Sequence, residues 1–452
     1  MKNFVAALVV CCGVALAQPY PAVAIHNAKI VTVSGPVIAK GTVVVRNGLI
    51  EAVGENAAVP PDAVLVEGEG LTVYPGLIDA MSTWGQPGAA SAAAAGRGGR
   101  GNTPTAVAFV AAQTAALPAR GPEDRPQTTS WVKIADEVSS ADRRIDAARS
   151  AGFTTAVTFP QRGILGGQGA VIDLVTSDKP GEMVVASPVG QFIAMARGGF
   201  GGGFPSSLMG SVAYIRQIYL DAEHYKLVKE AYAKSPVGVA RPEYDRALEG
   251  LLDSPRILLP ANRLVEIDRM LRLAADLKQP VILYGGRETF RPEAVALLKK
   301  FQAPILLSVK WPEAPRDPDP EQLESLRTLE TRDKAAAAPA VLQKAGVKFA
   351  LYSDGIDTAR DLQRAVKKAL DGGLAREDAL RALTLSAAEI FGVADRTGSI
   401  EVGKIANLVV TKGEIFDDKT KVEMTLVDGR RYVPAPEAPL MGGRGAAEPG
   451  VN

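Results

Sequence analysis

The sequence predicts an α/β protein with a parallel, helix-covered core in mid-chain and a smaller β-rich unit made from both ends. Three observations carry this reading. Both ends consist of short β-type runs, and the middle alternates continuous apolar runs with one-sided helical stretches. At 452 residues, 47% hydrophobic and 22% charged, the chain can bury a large core and an accessory one. Wholesale disorder is excluded by the same composition.

Residues 1–17 are expected to be a signal peptide. Lys2 supplies the positive start and Phe4 to Leu16 an apolar run, with Ala15-Leu16-Ala17 as the cleavage site. The run is short of the roughly 20 residues a spanning helix needs. A periplasmic or secreted location follows as an expectation, and no later segment reads as a membrane span. Cys11 and Cys12 both fall in this leader, so the mature chain is expected to hold no disulfide.

Residues 18–73 read as strands, with Asn47-Gly48 marking a tight hairpin, and 398–434 repeat that texture with Asp428-Gly429 as a second turn. These two stretches are expected to form one composite sheet unit, and 435–452 a flexible tail. Between them, over 74–397, candidate strands lie at 154–159, 256–261, 280–285, 303–309 and 347–353. Their unbroken apolar character fits parallel strands covered on both faces. Leu264, Ile267, Leu271, Ala274 and Leu277 line one side of a helix. A second helix is expected after Thr358 as N-cap, stopping at Gly372-Gly373. The alternation fits a (β/α)8 barrel or a doubly wound sheet; the absence of GxGxxG after any strand weakens the dinucleotide-binding version. Insertions at 85–105 and 196–205 are Gly/Ala-rich with interleaved Arg. They are read as loops, which in a barrel belong to the mouth.

Composition limits the chemistry. With 51 basic and 50 acidic residues the formal charge is +1, so no nucleic-acid partner is expected. The whole chain has 2 histidines, His26 and His224, and neither lies near other candidate ligands. No GxSxG elbow, Ser-x-x-Lys or mature cysteine offers a nucleophile.

Several segments in order carry a likeness. Residues 23–54 leading to LTVYPGLIDA (71–80), then 147–174, 379–410 and Val427-Asp428-Gly429, resemble the amidohydrolase superfamily, in particular its imidazolonepropionase-like and dihydroorotase-like secreted members. The resemblance implies a (β/α)8 TIM-like barrel with a β-sandwich formed from the N- and C-terminal segments. It also implies hydrolysis of non-peptide C–N bonds by water activated on one or two metal ions, usually zinc.

The metal ligands that the resemblance implies are missing. A His-x-His pair belongs two and four residues after the Asp of PGLID, where this chain has Met81 and Thr83. Later ligand histidines align with Asn262 and with Tyr284 or Gly285. A thioether and a hydroxyl do not replace two imidazoles for zinc. No cofactor is therefore expected. Asp354 remains, matching the metal-binding and proton-shuttling Asp at the end of the last barrel strand. Arg287 with Glu288 reads as a salt-bridged strand end, with Arg287 also a candidate for ligand contact. Glu288 and Asp354 are a candidate carboxylate pair across the mouth.

These readings predict an exported amidohydrolase-like pseudoenzyme whose mouth, through Met81, Thr83, Asn262, Tyr284 and Arg287, binds a small molecule or a partner. The partner is a second copy or an active paralogue. The alternative is a metal-independent hydrolase of cyclic amides with Asp354 as base. It must activate water without the ion that lowers its pKa from roughly 15.7 to about 7.

Overall fold

The computed structural model describes residues 22–86, 125–195, 205, 207–315, 323–356, 358–417 and 419–434. The expected signal peptide, most of both Gly/Ala-rich insertions and the expected tail lie outside them.

The described chain opens with β1 (Val23–Ile30), β2 (Ile38–Arg46), β3 (Leu49–Gly54), β4 (Val64–Glu67) and β5 (Thr72–Pro75). The core begins with β6 (Leu77–Ser82), α1 (Arg144–Ser150) and β7 (Phe153–Thr158). Short strands β8 (Leu165–Gln168), β9 (Ala170–Asp173), β10 (Val184–Ala186) and β11 (Gln191–Ile193) follow. Two helices, α2 (Leu208–Lys234) and α3 (Arg246–Leu252), lead to strict alternation: β12 (Ile257–Ala261), α4 (Leu264–Asp276), β13 (Val281–Gly285), α5 (Pro292–Phe301) and β14 (Ile305–Ser308). Next come α6 (Leu326–Lys334), α7 (Ala338–Ala345), β15 (Phe349–Tyr352), α8 (Ala359–Asp371), α9 (Arg376–Ala382) and α10 (Leu385–Phe391). The chain returns to strands in β16 (Leu408–Lys412), β17 (Lys421–Val427) and β18 (Arg430–Tyr432).

The two ends form one eight-stranded sheet, ordered β18-β17-β16-β5-β1-β2-β3 with β4 beside β1. Both foreseen hairpins are present. Asn47 and Gly48 (φ 52° and 80°) and Asp428 and Gly429 (φ 50° and 71°) take the left-handed pairs that a two-residue turn requires. The turns abut, since a Cβ on Gly48 would stand 2.5 Å from Asp428 Oδ1.

The middle holds two hydrogen-bonded sheets, β10-β9-β7-β6 and β15-β14-β13-β12-β11-β8. Strands β11 to β15 run parallel, as do β6 and β7. The ribbon 165–173 serves both sheets, its first half pairing β11 and its second half β7. Successive side chains on a strand face opposite ways. Accordingly Ile78, Leu258, Ile282, Leu306 and Ala350 pack together against Ile390 and Phe391 of α10, while Leu77, Leu259, Leu283, Leu307 and Leu351 join the larger core that takes in the surrounding helices. Thr358 caps α8 by accepting from the Asp361 N–H at 3.2 Å. The short strands β8 to β11 were not foreseen, because the glycines of LGGQGA break the apolar run that marks a buried strand. Among the described residues no helix is long and apolar enough to cross a membrane.

The terminal sheet is stitched to the core by polar groups. Asn407 Nδ2 donates to Asp173 Oδ1 at 2.7 Å and to Thr155 Oγ1 at 3.0 Å, while its Oδ1 accepts from the Asp428 N–H at 2.8 Å. Burial pushes the Asp173 carboxyl up to about 7, against the opposing pull of the Thr155 and Asn407 bonds. A raised carboxyl favours the protonated folded state. Its stabilisation is therefore complete below pH 4 and is lost as pH rises toward 7. The loss amounts to on the order of 1 kcal/mol per pH unit for one group. Asp173→Asn removes this titration, so the difference in unfolding free energy between wild type and variant should slope across pH 4–7 and flatten above it. A pH-independent difference in urea denaturation would contradict the assignment.

Candidate functional site

The C-terminal ends of β6, β12, β13, β14 and β15 share one rim, because the ladder aligns Ala261 with Gly285, Gly285 with Leu307, and Ser308 with Tyr352. This rim is where parallel α/β folds present ligand-binding side chains.

Beneath the rim sits Asp79 on β6, with 0% exposure. Its Oδ1 accepts from the Ser353 N–H at 2.9 Å and its Oδ2 from Ser353 Oγ at 2.5 Å, and the Met81 N–H points to it at 3.5 Å. Burial pushes this carboxyl up to about 7; the donors from Ser353 and Met81 oppose the shift, and the charge of Asp354 adds to it. Asp79 thereby holds the residue that begins the turn after β15. Asp354 follows with φ 51°, a left-handed conformation that Asp tolerates better than most residues. Its side chain is 6% exposed and its Oδ2 accepts from Ser308 Oγ at 2.8 Å.

Between Asp354 and β13 lies Tyr352. Burial drives its phenol well above the ordinary tyrosine range, aided by the charges of Asp354 and Tyr284, while Arg287 and a bond with Ser308 pull it back. Tyr284 is buried, donates from its hydroxyl to the Ile193 carbonyl at 3.2 Å and stacks on Phe192 with centroids 5.5 Å apart. Burial raises its phenol too. Gly285 and Gly286 (φ 113° and 70°) then turn the chain under Asn262 and Leu307. A Cβ would stand 2.5 Å from Asn262 Oδ1 at the first and 2.3 Å from Leu307 Cδ2 at the second.

A family model described as "Amidohydrolase family" matches residues 305–432, a segment that includes β14, β15 and Asp354. Among solved structures, an amidohydrolase from Thermotoga maritima MSB8 matches with a TM-score of 0.69 and 27% identity, over 91% of this chain and 100% of that one. Together these two matches support membership of the amidohydrolase superfamily. A prolidase complexed with N-methylphosphonate-L-proline matches at TM-score 0.53 and 16% identity, covering 92% of this chain and 100% of its own. Molinate hydrolase matches at 0.50 and 16%, covering 96% and 99%; at these identities the likeness speaks for the fold alone. No match is found among curated proteins.

In this amidohydrolase-superfamily chain the nominated residues divide. Tyr284 shares an apolar cluster with Tyr352, and Arg287 and Asp354 each lie two residues beyond the ends of β13 and β15. Met81 is buried in the same apolar cluster as Tyr284 and Tyr352. Asn262 lies against the Gly285 turn. Thr83 is tied elsewhere: its Oγ1 accepts from Arg144 Nη1 at 2.8 Å and its carbonyl from Arg144 Nη2 at 2.6 Å. Arg144 is anchored in turn by Asp142 at 2.6 Å.

The expected salt bridge between Arg287 and Glu288 is replaced by another. Glu288 accepts from Arg327 Nε and Nη2 at 2.5 and 2.6 Å and from the Leu264 N–H at 2.8 Å. Burial alone would raise this carboxyl, but those donors hold it below the usual range. Glu288 is thus spoken for and does not face Asp354 as a catalytic acid; the carboxyl that senses Asp354 is Asp79. His26 pairs with Glu67 at 3.3 Å on the terminal sheet, and His224 is exposed on α2. Sequence reasoning missed Asp79, Arg144, Tyr352 and Ser353. Only Asp79 left a signal, a lone carboxylate inside the apolar strand LIDAM.

Asp79→Ala leaves the Ser353 N–H and hydroxyl without acceptors in a dry site, at about 1–3 kcal/mol per unsatisfied donor. Asp79→Asn keeps one acceptor and should lose markedly less in urea denaturation. Equal midpoints for both variants and wild type would rule out the clasp.

Proposed function

We propose that this protein is an amidohydrolase-fold binding protein that has lost the metal centre, and that its rim holds a small molecule without splitting C–N bonds by metal-activated water. The single observation that carries this is the environment of positions 81 and 83. Met81 offers a buried thioether, and Thr83 is bonded at both oxygens to the guanidinium of Arg144. The Arg144–Asp142 pair thereby occupies both Thr83 oxygens, which leaves no free donor at the second ligand position. Of the remaining candidates Asp354 alone is an ordinary zinc donor; the Asn262 amide and a Tyr284 phenol that burial keeps protonated are not. Among the described residues no three His, Cys, Asp or Glu side chains gather as a metal cage.

The fold enters this proposal as a closed (β/α)8 barrel, with the terminal sheet as its accessory domain. Two features support closure: the ribbon 165–173 bridges the two central sheets, and Asp79 joins the β6 edge to the chain leaving β15. Export is part of the same reading, supported by the leader-like composition of residues 1–17.

A second reading, metal-independent hydrolysis of cyclic amides with Asp354 as base, is favoured by one observation. Asp354 is a buried carboxylate held by one hydroxyl beside a protonatable carboxyl, Asp79.

Protein purified without chelator should carry less than about one-tenth equivalent of zinc, against the one or two ions of an intact centre. Met81→His with Thr83→His should neither gain stoichiometric zinc nor hydrolyse hydantoins or lactams, because the later ligands are absent and Arg144 stays. Stoichiometric zinc in the wild type overturns the proposal. Hydrolysis by the zinc-free wild type that Asp354→Asn abolishes installs the second reading.

A further inference from the structure

Arg287 stands out among the charged groups of the rim. Its Nε is buried and has no hydrogen-bond partner, although guanidinium groups in protein interiors are ordinarily paired. The acid next to it in sequence, Glu288, is taken by Arg327 and lies 3.8 Å from Arg291. Among the described residues Arg287 forms no ion pair. Asp354 shows the converse: a carboxylate nine-tenths buried whose recorded partner is the neutral hydroxyl of Ser308.

Backbone register puts these opposite charges on one stretch of rim: Leu307 pairs with Gly285 on one side and with Leu351 on the other, so Arg287 and Asp354 follow strand ends on either side of β14. Tyr352 senses Asp354 on one hand and Arg287 on the other, and its ladder partner is Ser308. The positions are set by backbone. Gly285-Gly286 turns so tightly under Asn262 and Leu307 that Arg287 starts from a fixed point, and Asp79 fixes the turn carrying Asp354. Two preorganised charges of opposite sign, neither satisfied by the other, complement a ligand bearing the reverse pattern.

We propose that this rim binds a small zwitterion, an organic carboxylate seated on Arg287 whose amine or amide N–H faces Asp354, with the Tyr352 and Tyr284 rings beneath it. The proposal rests on the preceding reading only in treating the site as one that binds. The carboxylate makes charge-assisted bonds to the accessible Nη groups of the guanidinium, and the amine donates to the Asp354 carboxylate. Lysine at 287 would retain charge but lose the planar, multi-donor fit.

The test is calorimetric titration of the full-length protein with glycine, β-alanine and 4-aminobutanoate, and with propionate and propylammonium as single-charge controls. One zwitterion should bind at least tenfold tighter than either control. Arg287→Gln should weaken it at least tenfold, Arg287→Lys by less, and Asp354→Asn should abolish the preference for zwitterion over propionate. Arg287 is partly exposed on a turn, and matching thermal melts will confirm that the 287 variants are folded. Binding unchanged in Arg287→Gln, propionate as tight as the best zwitterion, or no binding across the series would each overturn the proposal. Zinc or turnover alongside Arg287-dependent binding would sink the metal-free reading and leave this one standing. A zinc-free, inactive protein that ignores every zwitterion does the opposite.

Discussion

A carboxyl group with no contact to water joins the first and last strands of the parallel core. Asp79 lies on β6, Ser353 follows β15, and 274 residues separate them, yet both Asp79 oxygens are engaged by the one serine. Main-chain ladders join neighbouring strands within each central sheet; at this edge a side chain takes over that task. Such an arrangement is stable only when every polar atom has a partner, because an unpaired group in a dry interior costs as much as several good contacts contribute. Protonation near neutrality reduces the cost further, since a neutral carboxyl needs no counter-charge.

The geometry of the rim follows from that clasp. With Ser353 held from below, the chain turns at once through Asp354 and Gly355, both left-handed, and presents the Asp354 carboxylate beside Ser308. Two strands away, at the end of β13, paired glycines do the same for Arg287. The stacked Phe192 and Tyr284, with Phe159 5.9 Å from Phe192, fill the space below. The site is therefore rigid through packing and hydrogen bonds, the condition under which unpaired charges are kept in place and not collapsed onto each other.

Much of the fold was legible because its signals are local. Asn47-Gly48 and Asp428-Gly429 report their turns within two residues, Thr358 reports a helix start within three, and five parallel strands announce themselves as unbroken apolar runs. The short glycine-rich strands β8 to β11 did not, since their pairing is decided by partners elsewhere in the chain. The site was half legible for the same reason. Asp354, Tyr284 and Arg287 sit where strands end, and strand ends can be counted. That Arg144 reaches Thr83 across 61 positions, or that Arg327 removes Glu288 from Arg287 across 39, is a fact of tertiary packing that no spacing rule contains.

With Met81 and Thr83 where the proposed reading places absent ligands, the fold draws its stability from within the chain. A structural zinc that supplies folding energy leaves an unstable chain behind when its ligands go. Here the strands are held by their ladders, the interior cluster is apolar from Ile78 through Ala350, and the clasp at Asp79 uses oxygen and nitrogen of the chain itself. Arg144 is held between Thr83 and Asp142, Asp354 bonds Ser308, and among the described residues Arg287 stands apart without an acid. On the reading proposed above, two fixed, separated charges at the rim select what approaches, while the scaffold beneath them rests on apolar burial and on hydrogen bonds of the chain itself.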